Sequence, residues 1–416
     1  MLRNYLKVAV KVLLRRKFFT FISLVGISLT LLVLLVATAL LDQIFAVKAP
    51  EVLGWRTLGI YQMALRGPEM NYQAAAGYRF VERFLRPMAE LPAVEAVSAF
   101  TTPETAVSYL GGKKIESELK RTDGEYWRVL RFDFLEGGPF SAADDDSGRR
   151  VAVISASTRE KFFGGETALG KGIDLDGRRF EVTGVVADVP YLRLASYADV
   201  WVPISTAKSN AYENELIGNF RVLIVARGRA DFPQIKAEVQ SRLREAKALI
   251  DDPQYDRLTG GADTPFEAAV RILPLGAEAR RTGRLLWVAF LGLAAFLLLP
   301  TVNLVNINLS RILDRSSEIG VRRAFGASSA QLIGQFLVEN LVLTLAGGAI
   351  GLLLGALALL AINSSEIIPH AQLAINYRVF LAALATALFF GLLSGVYPAY
   401  RMSKLHPALA LQGKAS

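Results

Sequence analysis

No cysteine occurs among the 416 residues, and histidine occurs only twice. Without cysteine there is no disulfide, no thiolate nucleophile and no thiolate metal ligand. His370 and His406 fall in predicted loops that the topology below places on opposite sides of a membrane, so they cannot share a site. No Ser–His–Asp grouping is expected, and neither H-E-x-x-H nor a G-x-x-x-x-G-K-[ST] phosphate loop is present. The expectation is a non-enzymatic chain with no catalytic residue, no cofactor and no metal ligand of its own. Asp144-Asp145-Asp146, beside Ser147-Gly148, invites a calcium reading, but such a run is far more often a solvated turn. A pI near 9.6 invites nucleic acid, yet no basic stripe interleaved with aromatics appears in the polar part.

What is abundant is apolar sequence. Hydrophobic residues make up 52% of the chain and the mean hydropathy is +0.34. Four runs, Phe18–Leu41, Leu285–Leu309, about Leu332–Ile362 and Val379–Tyr400, reach the ~20 residues that cross a bilayer. Ala37–Ala39 imitates a signal-peptide cleavage site, but the first run is well beyond the ~7–15 residues of a signal-peptide core. The fold class expected is therefore an α-helical membrane protein with four transmembrane helices (17–41, 285–310, 330–362 and 379–400). A large α+β domain, 42–284, lies between the first and second. Residues 363–378 form a short external loop, 311–329 a cytoplasmic loop and 401–416 a cytoplasmic tail.

Charge gives the orientation. Residues 1–17 carry Arg3, Lys7, Lys11, Arg15, Arg16 and Lys17 with no acid. The 311–329 loop has four basic and two acidic residues, and the tail adds Arg401, Lys404 and Lys414. Residues 42–284 hold 33 basic and 34 acidic residues, so the net +9 lies on one side, the cytosol. Residues 1–16 read as an amphipathic helix: Leu2, Tyr5, Leu6, Ala9 and Leu13 share one face, and Arg3, Lys7, Lys11 and Arg15 another. Such a helix lies among lipid headgroups, although a plain topogenic signal uses the same residues.

Within 42–284, Thr57–Leu65 and Val94–Phe100 read as strands around a helix at Tyr78–Leu91. A second set follows: strand Phe220–Ala226, a helix to about Ile250 with Ile235, Val239 and Leu243 on one face, and a closing strand at Ala268–Leu273. The bracketed part is richer in strands. Val151–Ser155 is a short buried strand before a helix ending at Gly164-Gly165. Ile173–Val182 is a hairpin turning on Asp176-Gly177, and Val185–Val189 and Asp199–Ile204 add strand material.

Two features carry function. Ser316–Phe325 reads as a short amphipathic helix, with Ser316 or Ser317 as N-cap, Glu318 in its first turn, Arg322 and Arg323 in its last, and Gly326 ending it. Ser328 and Gln331 then form a capping box that opens the third span. A helix held at the membrane surface is a lever that a cytosolic partner can push; an ordinary loop whose arginines only set topology remains the alternative. The third span carries Gly347, Gly351 and Gly355, and the fourth Gly391 and Gly395, spacings that let helix backbones approach closely within this chain or against another. In the second span Pro300 permits a kink, and Asn303, Asn306 and Ser310 recur at helical spacing as interhelical glue. Glu339 is the single acid of the third span, too few ionisable groups for a proton relay.

Three stretches together resemble the FtsX/MacB-type ABC transporter permeases. They are NINLSRILDRSSEIGVRRAFGASSAQLIGQFLVENLVLTLAGGAIG (306–351), FFGLLSGVYPAYRMSKLHPALALQGK (389–414) and the macrolide-exporter-like external segment 134–189. The resemblance implies one span, a large periplasmic domain and three more spans in the bacterial inner membrane. It divides 42–284 into a porter-like part, 50–120 and 206–275, and a sabre-like insert, 121–205. It implies that Glu318, Ile319, Gly320, Arg322, Arg323, Ala324, Gly326 and Ala327 form the coupling helix that rests on a cytosolic ABC ATPase. ATP and Mg²⁺ would be handled by that separate ATPase, since the chain resembles the free-standing permeases. The further partners implied are a second permease copy or paralogue and, for efflux, a periplasmic adaptor and outer-membrane channel. A signalling scaffold that regulates a periplasmic enzyme, or a lipoprotein-release permease, is the alternative reading.

Overall fold

A computed structural model describes residues 2–15, 17–68, 71–250, 252–272, 321, 325–365 and 367–403. The expected second span, 285–310, and most of the coupling segment lie outside these residues. The chain divides into two compact units.

One unit is helical. Helix Leu2–Arg15 precedes Lys17–Phe45, and Ser329–Ser364 precedes Tyr377–Ser403. Among the described residues, Lys17–Phe45 and Ala330–Ser364 are long and apolar enough to cross a membrane. At 29 residues the first spans about 43 Å, more than the ~30 Å hydrocarbon core requires. The Ser328–Gln331 box forms as expected: Ser328 Oγ accepts from Gln331 N at 3.3 Å, and Gln331 Oε1 accepts from Ser328 N at 2.9 Å. Ile27, Leu31, Leu34 and Leu35 pack with Leu343, Phe380 and Ala383 in one apolar cluster. Asn376 Nδ2 donates to Asp42 Oδ2 at 2.7 Å, tying the start of the last helix to the end of the first long one.

The other unit, Ile44–Thr282 with Ile368–His370, is built on a mixed sheet. Its strands are β1 Thr57–Ile60, β2 Met63–Arg66, β3 Asn71–Ala76, β4 Val94–Thr101, β5 Glu104–Leu110, β6 Lys113–Thr122 and β7 Phe134–Gly137. Then come β8 Val151–Ser155, β9 Gly172–Leu175, β10 Arg178–Val186, β11 Val200–Pro203, β12 Ile217–Gly218, β13 Phe220–Ala226 and β14 Arg257–Gly260. The order is β14-β2-β3-β13-β4-β6-β11-β8-β10-β7, with β1 on β13, β12 on β3, β5 on β6 and β9 on β10. Among the described residues, only β10–β8 and β11–β6 run parallel.

Alternation along β13 sends Phe220, Val222 and Ile224 into one core and Leu223 and Val225 into another on the opposite face. The first core is closed by the helical segment Tyr78–Glu90 and by helix Phe232–Lys247, which buries Ile235, Val239, Leu243 and Ala246 along one stripe. The second is aromatic: Phe100, Tyr126, Trp127, Phe140 and Trp201 are all buried in it. The 173–182 hairpin turns as expected, with φ 51° at Asp176 and 77° at Gly177. Asp144 caps its own short helix at Ser141, and Asp145 accepts from Ser205 N at 2.9 Å, so both carboxylates have structural partners.

Four expectations are corrected. Residues Pro265–Ile272 form a helix, not a closing strand; the strand is β14, eight residues earlier at its start. The cause is local: Thr264 Oγ1 accepts from Glu267 N and Glu267 Oε2 accepts from Thr264 N, with Pro265 at the tolerant first helical position. Thr57–Leu65 breaks at Tyr61-Gln62, because β1 pairs with β13 while β2 pairs with β14 and β3. The Tyr78–Leu91 helix is irregular: Val81–Leu85 winds as a wide π turn and Arg86–Glu90 as a tight 3₁₀ turn, with Pro87 unable to donate a backbone bond. Val185 and Val186 are not a separate strand but the end of β10.

Candidate functional site

Of the coupling residues, Glu318, Ile319, Gly320, Arg322, Arg323 and Ala324 lie outside the described residues. Val321 is helical, and Phe325 N donates to its carbonyl at 3.1 Å. Phe325 is a large apolar side chain that is 88% exposed. Gly326 holds φ 89°, the left-handed region that a residue with Cβ avoids, and Ala327 leads to the Ser328 cap. The turn therefore passes directly into a 36-residue helix.

About 27 Å along that helix, the three glycines face the first long helix. A Cβ on Gly347 would stand 2.8 Å from Ile27 Cβ, one on Gly351 3.0 Å from Leu31 Cβ and Ser28 O, and one on Gly355 2.6 Å from Leu35 Cδ1. Ile27, Leu31 and Leu35 recur every four residues, so two i, i+4 ridges interlock with no room for a methyl. The partner of the ladder is in the same chain. Gly391 and Gly395 lie in Tyr377–Ser403. Glu339 is buried and accepts from Gln335 Nε2 at 2.8 Å, one turn away on the same helix.

Where the first helix ends, the domain takes hold of the chain. Arg193, 4% exposed, donates through Nη2 to Ala46 O at 3.0 Å and through Nη1 to Lys48 O at 3.3 Å, and pairs with Glu51 at 3.4 Å. Ser196 Oγ donates to the other Glu51 oxygen at 2.7 Å. A planar fork serving two carbonyls and a carboxylate holds the segment in one geometry. Deeper in the domain, Asp123 accepts from Ser98 Oγ and Ala99 N, both at 2.8 Å, from Tyr126 N at 3.0 Å, and from Arg86 Nη1 at 3.2 Å. Burial nevertheless pushes its carboxyl up to about 6, against the pull of Arg86 and the N–H donors. Lys120, wholly buried, donates to Leu194 O at 3.1 Å and Ala195 O at 2.8 Å, and burial holds its ammonium well below the usual lysine range. Sequence reading singled out none of these. Their partners lie 25 to 147 residues away in most cases, and no local pattern marks them.

A serine, a histidine and an aspartate do lie near one another in the external unit. Ser157 Oγ is 3.5 Å from His370 Nε2, and His370 Nδ1 is 3.9 Å from Asp188 Oδ2. They meet because Ile368–His370 joins the external unit, Tyr191 N donating to Pro369 O at 3.1 Å. The spacing is that of a docking contact: 3.9 Å is beyond hydrogen-bond length, and Asp188 Oδ1 is taken by Ser157 N at 2.9 Å. Among the described residues no group of three or more His, Asp or Glu is placed to hold a metal.

Residues 20–242 match the MacB-like periplasmic core domain, and residues 290–407 match the FtsX-like permease C-terminal domain. The chain belongs to the FtsX/MacB-type ABC transporter permeases. The permease is 24% identical over 349 residues to the uncharacterized ABC transporter permease YknZ of Bacillus subtilis, covering 82% of this chain and 81% of that one. It is 27% identical over 326 residues to the pyoverdine export ATP-binding/permease protein PvdT of Pseudomonas aeruginosa, covering 78% and 46%. To the macrolide export ATP-binding/permease protein MacB of Nitrobacter winogradskyi it is 28% identical over 306 residues, covering 72% and 44%. The permease thus spans under half the length of these two ATP-binding/permease relatives. Similar solved structures include the periplasmic region of MacB from Actinobacillus actinomycetemcomitans (16% identity, 53% of this chain and 94% of that one, TM-score 0.38). The extracellular domain of YknZ from Gram-positive bacteria is another (16%, 49% and 98%, TM-score 0.37).

Proposed function

We propose that this permease transmits force from a separate cytosolic ATPase to its external domain, with four spans, both termini in the cytosol and the domain in the periplasm of an inner-membrane complex. ATP and Mg²⁺ are bound by the ATPase; the permease contributes no catalytic group. Two permease copies, or this chain and a paralogue, close when the ATPases dimerise, and the periplasmic domains then press a cargo toward an adaptor and outer channel. Such coupling needs two arrangements that ATP binding favours unequally.

The observation that supports this most is the interlock of two long helices. The turn at Phe325–Ala327 is fused to Ser329–Ser364, that helix interlocks through its glycines with Lys17–Phe45, and the residues after Phe45 are gripped by Arg193. A displacement at the turn is carried along two stiff helices rather than absorbed in loops. Relatives named for macrolide and pyoverdine export favour export as the outcome. The test is ATPase stimulation by the permease in a reconstituted complex. Arg322→Glu with Arg323→Glu is expected to abolish stimulation and assembly; unchanged assembly and turnover would remove the lever assignment.

A further inference from the structure

Within the external unit, a cavity of about 800 Å³ lies between the end of the first long helix, segment 192–195, strands β3 and β13, and helix Pro265–Ile272. The volume is within the ~300–1,000 Å³ of small-molecule sites. Its walls are mostly apolar: Ile44, Leu53, Leu130, Leu192 and Leu223 contribute, with Ala268 and Ala269 from the helix. Ile44 lies three residues, about one helical turn, beyond the apolar run Phe18–Leu41.

Two cations line the cavity, Arg193, which is paired with Glu51, and Arg221. Arg221 sits on the face of β13 shared by Leu223 and Val225, a position where the alternation calls for an apolar residue. Its Nε is buried without a hydrogen-bond partner, and no described carboxylate pairs with it. Glu51, which also lines the cavity, is already matched by Arg193 and Ser196. Burial draws the Arg221 guanidinium below its ordinary value, which reports the same desolvation. Tyr61 lines the cavity too, and burial keeps its phenol protonated, able to donate. A half-buried guanidinium without a counter-charge is costly, and its planar donors match carboxylate and phosphate oxygens.

We propose that this cavity binds an acidic amphiphile, a molecule with one apolar chain and a carboxylate or phosphate head that pairs with Arg221. The apolar wall takes the chain, and Arg221 and the Tyr61 hydroxyl take the head. The site concerns ligand binding alone and stands apart from the force-transmission reading.

The test uses the full chain in amphipol with a dansyl-labelled undecanoate as probe. Bound probe should shift to the blue and be displaced by laurate and by dodecyl phosphate, but not by dodecyltrimethylammonium of the same chain length. The stronger of the two anions identifies the source, fatty acid or phospholipid. Arg221→Gln should weaken the probe at least tenfold, and Arg221→Lys should retain most of the binding. Absence of a blue shift, equal displacement by the cation, or unchanged affinity in Arg221→Gln would overturn the site. If Arg221→Gln does not fold, Ala269→Phe, which fills the apolar wall and leaves Arg221 in place, decides: it must block the probe, and unchanged affinity overturns the proposal.

Discussion

Adding one methyl group to the glycine ladder tests whether the two long helices are locked by shape. In a helix interior Gly→Ala by itself gains about 0.8–1 kcal/mol. Against this stands overpacking, about 1–3 kcal/mol when the neighbour cannot yield. Gly347→Ala brings its Cβ to 2.8 Å from both Cβ and Cγ2 of Ile27, a β-branched side chain that is 2% exposed and stiff about χ1. Gly351→Ala meets Ser28 O and Leu31 Cβ at 3.0 Å, so backbone itself must move. Gly355→Ala meets the tip of Leu35 at 2.6 Å, and Gly348→Ala, on the adjoining face, meets only Leu384 Cδ1 at 2.7 Å, with the next atom at 3.7 Å. Leu384 is half-buried and can swing. Gly347→Ala and Gly351→Ala are therefore expected to lose up to about 2 kcal/mol, Gly355→Ala less, and Gly348→Ala to be neutral or gain up to about 1 kcal/mol. The assay is the thermal midpoint in detergent, read by loss of the folded peak in size exclusion, beside coupled ATPase turnover. Ile27→Gly in the Gly347→Ala background removes the opposing Cβ, so the double variant should be less damaged than the two losses added. Gly347→Ala as stable as Gly348→Ala, or strict additivity in the double variant, would refute the interlock.

Two further predictions concern the external domain. Burial lifts the Asp123 carboxyl from its ordinary 3.8 to about 6, so the folded state binds more protons between these values and stability falls as pH rises through that window. With its side chain 6% exposed, the loss is about 3 kcal/mol and complete above about pH 6. Asp123→Asn should flatten this slope in denaturant unfolding followed from pH 3.5 to 7, and an unchanged slope would show that another group carries it. Arg193→Ala strips the donors from Ala46 O and Lys48 O and leaves Glu51 without its cation, a change in the ~3–5 kcal/mol class of broken buried pairs. Faster proteolysis within 46–51 and a lowered midpoint are expected, with Arg193→Lys recovering little because an ammonium lacks the fork; native-like cleavage would mean the segment is held by other contacts.

Local chemistry was legible where it was self-contained. Asp176-Gly177 announces a hairpin because few other pairs tolerate two positive φ angles, and Ser328 with Gln331 announces a helix start because the two side chains satisfy each other's backbone N–H. Helix Pro265–Ile272 carried an equally local signal, Thr264 with Glu267 around Pro265, which the apolar run after it obscured. Arg193, Asp123 and Arg221 gave no comparable sign. An arginine within a strand sequence such as FRVLIVA is a hint only once β13 is known to have an apolar layer on both faces.

By itself, the sequence determined which runs are apolar enough for a membrane, where capped helices and tight turns begin, and that the glycines recur every four residues. These follow from side-chain transfer energy and backbone sterics, which act within a few residues. Only the tertiary structure decided that Gly347, Gly351 and Gly355 face Ile27, Leu31 and Leu35, that Arg193 grips the chain 147 residues before it, and that Arg221 stands unpaired beside a cavity. Those outcomes depend on strand order and helix packing, which bring together segments whose separate preferences carry no record of each other.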